Sequence, residues 1–255
     1  MDFSLSEQYT LSIRLRTDGF SFVITSPLGD DDLLQTDYQP DESLSLTANL
    51  KQAVQSFEWW GRPFRKVQVL VGSKRFTLLP LELFEDEQAE EQFHYNHPRH
   101  DHEQVMYNIL QRSNLVVIFG IDSYVHHFVC SCYPEARFYA QSTPLIEYFA
   151  GKSHLGNSRK LYVHLAPQGF EAYAYDRGRL LLGNHFDATT TADVLYFILY
   201  IWKQLDLAQE RDELHLAGDL SRKEQLLPEL RKYIRQVYVM NPAQSLDFQS
   251  IHLCE

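Results

Sequence analysis

The chain has 255 residues, of which 44% are hydrophobic and 22% are charged, as is ordinary for a folded globular protein. Its formal net charge of −11 argues against nucleic-acid phosphate as the main partner, because binding a polyanion requires an excess of cations. Three cysteines do not make a disulfide framework, and no apolar run reaches the roughly 18 residues that a membrane-spanning helix needs. We therefore expect a reduced, cytoplasmic protein with no transmembrane segment and no nucleic-acid partner.

The chain begins with a predicted β-hairpin. Apolar and polar residues alternate over residues 10–26, on both sides of the turn signal Asp18-Gly19. A short third strand is predicted over residues 33–38, after a loop. The first elements are therefore three consecutive strands.

A helix with an aromatic end is predicted next. Ser43 is a candidate N-cap, and an apolar stripe follows over residues 46–60. Trp59 falls off that stripe, which predicts an exposed contact residue. Residues 66–71 then form a strand that ends at Gly72.

The middle of the chain alternates between further strands and helices. Strands are predicted at residues 75–79, 105–110, 115–119 and 136–141, and helices at residues 81–91, 121–133 and 145–150. Residues 93–102 predict a polar, histidine-rich break with Pro98 in it. The polar segment 151–158 contains two glycines and predicts a linker.

The last hundred residues repeat the opening order of elements. Three strands are predicted at residues 161–165, 170–175 and 179–182, and a long apolar helix and a strand ending at Gly218 follow. Ser221 is a candidate cap for a last helix, before a strand at 236–240 and a loosely structured tail.

Two segments of the chain match each other at nearly constant spacing. Leu11-Ser-Ile-Arg-Leu15 corresponds to Leu161-Tyr-Val-His-Leu165, an offset of 150 residues (161 − 11). The strand that ends at Gly72 corresponds to the strand that ends at Gly218, an offset of 146 (218 − 72). The order β-β-β-α-β thus occurs twice, which predicts an internal duplication and two α/β lobes, each a mixed sheet flanked by helices. We place the lobes at residues 1–155, with an inserted segment near 80–112, and at residues 156–255.

This duplicated order resembles the actin-like ATPase (ribonuclease H-like) fold of sugar kinases, actin and the chaperone ATPases. Its layout is most similar to the bacterial actin-like proteins of type IV pilus assembly and cell division. The chain also resembles an uncharacterised bacterial family of this fold. The resemblance covers nearly the whole chain, from about Gln8 to Met240, and rests on the pattern of elements more than on motifs.

In that fold, the resemblance implies two hairpin turns that hold ATP phosphates, each with an Asp late in its first strand for Mg²⁺. At the first turn the Asp position falls on Arg14 and the following Gly on Arg16. At the second turn they fall on His164 and Ala166, and Pro167 removes an N–H donor.

The resemblance also implies which residues would contact a nucleotide in the cleft between the lobes. They are Gly19, Gly169, Gly218 and Ser221, the last two in a segment that resembles the nucleoside-side Gly-Gly-x-x-Ser of the family. Without the carboxylates and Mg²⁺, phosphoryl transfer lacks its charge stabilisation. We therefore expect no catalytic residues and no cofactor, and a protein that acts through a protein partner or self-association. The alternative is an atypical ATP-binding protein or ATPase that uses the cleft.

The histidines of the polar break are the densest group of potential metal ligands. They are His94, His97, His100 and His102. Their spacing matches no established ligand pattern, so a solvated loop is favoured over a Zn²⁺ or Ni²⁺ site. His126 and Cys130 share a helix face, but packing is the simpler account of this buried residue type. No P-loop, dinucleotide or Gly-x-Ser-x-Gly fingerprint is present.

Overall fold

The computed structural model describes residues 3–26, 32–240 and 246–254. It divides into two compact units, Met1–Ile109 with Asn114–Gln141, and Leu110–Ser113 with Ser142–Glu255. The main change of unit therefore comes between Gln141 and Ser142, earlier than the boundary that we place at residue 155. No helix of the described ranges is long and apolar enough to cross a bilayer.

The elements follow one another in this order. The strands are β1 (Thr10–Arg16), β2 (Gly19–Thr25), β3 (Asp32–Tyr38), β4 (Lys66–Gly72), β5 (Phe76–Pro80), β6 (Glu103–Leu110), β7 (Leu115–Asp122), β8 (Arg137–Ala140), β9 (Lys160–Ala166), β10 (Gly169–Asp176), β11 (Arg179–Asp187), β12 (Glu213–Gly218) and β13 (Gln236–Val239). The helices are α1 (Leu46–Gln55), α2 (Ala89–Asn96), α3 (Ser123–Cys132), α4 (Ser142–Ser153), α5 (Thr191–Gln204), α6 (Lys223–Leu230) and α7 (Leu246–Ser250). Short 3₁₀ helices lie at Phe3–Gln8, Leu81–Leu83, Asp86–Gln88 and Ile251–Cys254.

Each unit contains a five-stranded sheet, and the two sheets have the same strand order. The first is β3-β2-β1-β4-β8 and the second is β11-β10-β9-β12-β13. In both, the first three strands pair antiparallel and the remaining pairs are parallel. The mixed sheets predicted from the repeated β-β-β-α-β order are therefore present. Their common order agrees with a duplication, which stays a prediction.

The central strands of each sheet are buried because apolar residues occupy both of their faces. In the second unit, Leu161, Leu214 and Leu216 are fully buried in one cluster with Ile198 of α5 and Leu230 of α6. Long apolar runs of this kind are typical of strands covered on both sides.

Two predictions around α1 are wrong, namely Ser43 as its N-cap and Trp59 as an exposed residue. The N-cap is Ser45, whose Oγ accepts the Ala48 N–H at 3.2 Å, whereas Ser43 bonds to Asp41. Trp59 is 3% exposed and stacks on another aromatic ring. Because α1 ends at Gln55, the 3.6-residue period does not apply to the aromatic residues beyond it.

The inserted segment folds as a small sheet of order β5-β7-β6 with α2 against it. The predicted helix over 81–91 is instead two 3₁₀ turns followed by α2, which enters the predicted polar break. Phe93 explains the difference, since it is fully buried against Val116 and Ile118. Burial of one large aromatic side chain stabilises this turn of helix despite its polar neighbours.

The C-terminal elements also differ from the sequence prediction. α6 begins at Lys223 with Arg222 as N-cap, so Ser221 does not cap it. The tail is not loose throughout, because α7 packs against α4 with Leu246 and Asp247 buried. The start of that tail, at residues 241–245, lies outside the described residues.

Candidate functional site

The first hairpin turn is held by arginines. Arg14 Nη2 donates to Ser21 Oγ, directly across the β1–β2 pair, at 3.0 Å. Arg16 Nη2 forms an ion pair with Asp18 Oδ2 at 3.0 Å, and both side chains are less than one-third exposed. The carboxylate of the turn is thus already paired with a cation of the same turn.

Arg16 also occupies the space beside the parallel strand β4. Arg16 and Gly72 are register partners, and a Cβ built on Gly72 would overlap Cγ of Arg16. Gly72 is therefore a glycine because the arginine stem crosses it closely. Gly19 is less constrained, since a Cβ there would lie 3.2 Å from the Tyr38 carbonyl oxygen, which is a tight contact and not an overlap.

The second hairpin turn is held from outside by Arg222. Its Nη2 donates to the Pro167 carbonyl at 2.6 Å, and its Nη1 donates to the Thr189 carbonyl at 2.9 Å. His164, at the predicted metal-carboxylate position, is buried. A Cβ on Gly169 would overlap the Phe186 carbonyl oxygen of the neighbouring strand. The second turn therefore has a buried imidazole, His164, at the position where the resemblance implies an acidic residue, and Ala166 at the position where it implies a glycine.

Gly218 lies at the same sheet edge, as the last residue of β12 and the register partner of Leu165 on β9. Its φ is +82°, and a Cβ would collide with the Leu165 carbonyl oxygen and lie 2.8 Å from the Leu165 nitrogen. The Asp219 N–H donates to that carbonyl at 2.8 Å, and the Ser221 N–H donates to Asp219 Oδ1 at 2.9 Å. Backbone packing thus requires Gly218 whether or not a ligand binds.

The structure brings three of the four predicted nucleotide contacts to one edge of the second sheet. Gly169, Gly218 and Ser221 are joined there through the second turn and Arg222. The fourth predicted contact, Gly19, belongs to the first unit, where it begins β2. A role of these residues in nucleotide binding stays a prediction.

The histidines of the polar break point to separate partners. His97 contacts the Phe76 carbonyl at 3.1 Å, His100 contacts Arg75 at 3.3 Å, and His102 packs on Tyr124. His94 lies against the carbonyl of His97. Within residues 3–26, 32–240 and 246–254, no three His, Cys, Asp or Glu side chains are grouped so as to hold a metal.

A buried charged network, not predicted from the sequence, lies at the opposite ends of β9 and β12. Lys160 Nζ donates to the Leu155 carbonyl at 2.7 Å, to Ser158 Oγ at 3.1 Å and to Glu213 Oε1 at 3.2 Å. His215 contacts Glu213 Oε2 at 2.8 Å, and burial lowers its pKa although Glu213 acts in the other direction. All three ammonium donors are used, so the network fixes where the two strands begin.

A second feature that sequence reasoning missed is a pocket of about 470 Å³ in the first unit. It is formed by residues 61–67, which lead into β4, and by residues 132–137, which lead into β8. We call it the basic pocket because its charged lining is Arg62, Arg65, Lys66, Arg137 and Glu135. The run Arg-Pro-Phe-Arg-Lys in the sequence was the available signal.

The chain matches the model of one protein family. Residues 1–237 match the model of the family described as Protein of unknown function (DUF3822). The chain belongs to this family. No curated protein matches it.

Solved structures identify the fold of this DUF3822 chain. It is 52% identical, with a TM-score of 0.95, to a Bacteroides thetaiotaomicron protein with actin-like ATPase fold and unknown function, covering 100% of this chain and 99% of that one. It also resembles the PilM-PilN type IV pilus biogenesis complex, at 12% identity and a TM-score of 0.60, covering 91% and 88%. It also resembles the ethanolamine utilization protein EutJ from Carboxydothermus hydrogenoformans, at 8% identity and a TM-score of 0.53, with 97% of this chain and 90% of that one covered. The actin-like ATPase fold predicted from the sequence is confirmed.

Proposed function

We propose that this DUF3822 protein is a non-catalytic, cytoplasmic member of the actin-like fold that acts by binding a protein partner or by assembling with itself. The observation that carries the proposal is the state of its two hairpin turns. Each is tied by an arginine of its own unit, through the Arg16–Asp18 ion pair in one and the Arg222 contacts in the other.

The chemistry of these turns disfavours Mg-ATP as a substrate. Phosphoryl transfer requires a divalent cation, and the two positions that would supply its carboxylates hold Arg14 and His164. Asp18 is a poor replacement, because Arg16 neutralises it and displacing that partner would leave the guanidinium uncompensated.

The comparison with PilM agrees with the proposal that the protein acts by binding a partner. PilM, a protein of this fold, is found in a complex with PilN. The identity of 12% carries the fold alone. The partner of this chain must therefore be sought from its own surface.

An assay of phosphate release from Mg-ATP tests the proposal. We expect the purified chain to release phosphate no faster than the buffer control, because neither turn has the residues to hold the metal. Arg14→Ala and Arg16→Ala variants separate true activity from a contaminant. Phosphate release above the control that both substitutions abolish would contradict the proposal, and it would favour the alternative of an atypical ATPase.

A further inference from the structure

We infer that the basic pocket of one copy binds the acidic segment 82–91 of a second copy. This inference deepens the proposed function and rests on it, since it names the partner as another copy of this chain. The pocket and the segment are both in the first unit and are different surfaces.

The basic pocket concentrates positive charge in a chain that is otherwise acidic. Four cations and one carboxylate line it, whereas the whole chain has 34 acidic and 23 basic residues. Among the described residues, the side chains of Arg65 and Arg137 have neither an ion pair nor a hydrogen bond, and both are exposed. Two guanidinium groups beside one concavity, without carboxylate partners, favour an anionic occupant.

The walls of the pocket are held in place before any partner binds. Tyr133 is 5% exposed, and its hydroxyl accepts the Gly61 N–H at 2.8 Å. Its ring packs edge-on against Trp60 and Phe64, at centroid distances of 5.1 and 6.2 Å. A site that is already ordered loses less entropy on binding. The half-buried Phe64 adds an apolar surface between the cations.

The acidic segment has the complementary composition. Residues 82–91 contain six carboxylates and no basic residue. Leu83 lies among them with 61% of its surface exposed. Of these carboxylates only Glu90 pairs with an arginine or lysine in the described chain, through Arg99. An exposed apolar side chain flanked by carboxylates fits an apolar floor flanked by guanidinium groups.

The geometry also favours a chain segment over a small molecule. Most residues that form the pocket are exposed, so it is an open depression. Small-molecule sites bury most of the surface of their ligand, whereas a surface depression accommodates a protruding segment. Because pocket and segment are not the same patch, the contact is heterologous, and it joins copies into a ring or an open chain.

Sedimentation velocity at rising protein concentration tests the inference. At low ionic strength the wild type should associate, and at about 0.5 M salt it should not, since screening weakens contacts between exposed charges. Arg65→Glu with Arg137→Glu should weaken association by about tenfold or more. Leu83→Ser with Glu87→Lys and Glu91→Lys should do the same from the other side, because all three residues are exposed.

Mixing the two variants gives the decisive result. The pocket variant retains an intact acidic segment and the segment variant retains an intact pocket, so the mixture should form dimers and nothing larger. Arg179→Glu with Arg231→Glu is the matched control, since these exposed arginines of the second unit also lack partners among the described residues, and it should associate like the wild type. Circular dichroism verifies that every variant is folded.

Three outcomes would overturn the inference. They are a wild type that stays monomeric at low salt, a pocket variant that associates as well as its control, and a mixture of folded variants that remains monomeric. Each would leave the proposed function standing with a different partner. Turnover of Mg-ATP, in contrast, would overturn the proposed function without bearing on the association measurement.

Discussion

Replacing Gly218 by alanine is expected to lower the free energy of unfolding by about 3 kcal/mol, since overpacking and a strained positive φ each cost about 1 to 3 kcal/mol. The new methyl group would collide with the backbone of Leu165, which is part of a central strand and cannot move aside like a flexible side chain. Urea denaturation followed by circular dichroism measures the loss.

Gly156→Ala is the matched control for that substitution. Gly156 lies in the same unit with nearly the same φ, +81°, but its nearest neighbour to a new Cβ is Lys160 Nζ at 3.9 Å. Only the conformational cost remains there, about 1 kcal/mol. If Gly218→Ala cost no more than Gly156→Ala, the close approach of β9 and β12 would not be the reason for this glycine.

Asp212→Asn is expected to cost about 3 kcal/mol, because it breaks a buried charged network. Asp212 is fully buried, and its carboxylate accepts the Ala208 N–H at 2.7 Å and the Arg159 N–H at 3.0 Å. The Arg159 guanidinium lies 3.3 Å away. An amide has one acceptor oxygen, so at least one of these donors loses its partner.

The cost of Asp212→Asn should depend on pH in a defined direction. Burial opposes ionisation of Asp212, but the two backbone donors and Arg159 outweigh it and lower its pKa. A carboxyl group with a lowered pKa in the folded state stabilises the fold above its unfolded pKa of about 4, and this contribution disappears as the pH falls through the folded value.

Urea denaturation of wild type and variant from pH 7 down to acid pH checks this. The difference between their free energies of unfolding should be constant near neutral pH and should shrink below pH ~4. The exposed ion pair of Asp176 with Arg177 supplies a control, and Asp176→Asn should change stability by less than about 0.5 kcal/mol. A difference for Asp212→Asn that is independent of pH would show that the ionised carboxylate is not the stabilising group.

The regular elements could be predicted from the sequence because their signals are local. Alternation around Asp18-Gly19 and around Pro167 to Gly169 specifies two hairpins, and the strands ending at Gly72 and Gly218 were correctly predicted. The errors occurred where long-range packing decides. Trp59 packs on Phe22 of β2, and Phe93 packs on Val116 and Ile118 of β7, so periodicity within one segment could not show these contacts.

The candidate site was predictable only in part. Changes in residue type at the two turns are visible in the sequence, but their contacts are not, because Arg222 reaches Pro167 across 55 residues. The basic pocket combines residues 61–67 with 132–137 only because β4 and β8 are parallel neighbours. Gly169 and Gly218, which were predicted as ligand contacts, also lie against the backbone of a neighbouring strand. A sequence pattern does not distinguish a glycine required by close packing from one required by a ligand.

Calorimetric titration with Mg-ATP tests the central claim, the absence of a working nucleotide site, most directly. We expect no saturable heat up to millimolar nucleotide, since Arg14 and His164 stand where the metal carboxylates would be and an arginine ties each turn. Saturable binding in the micromolar range that depends on Mg²⁺ would contradict the account.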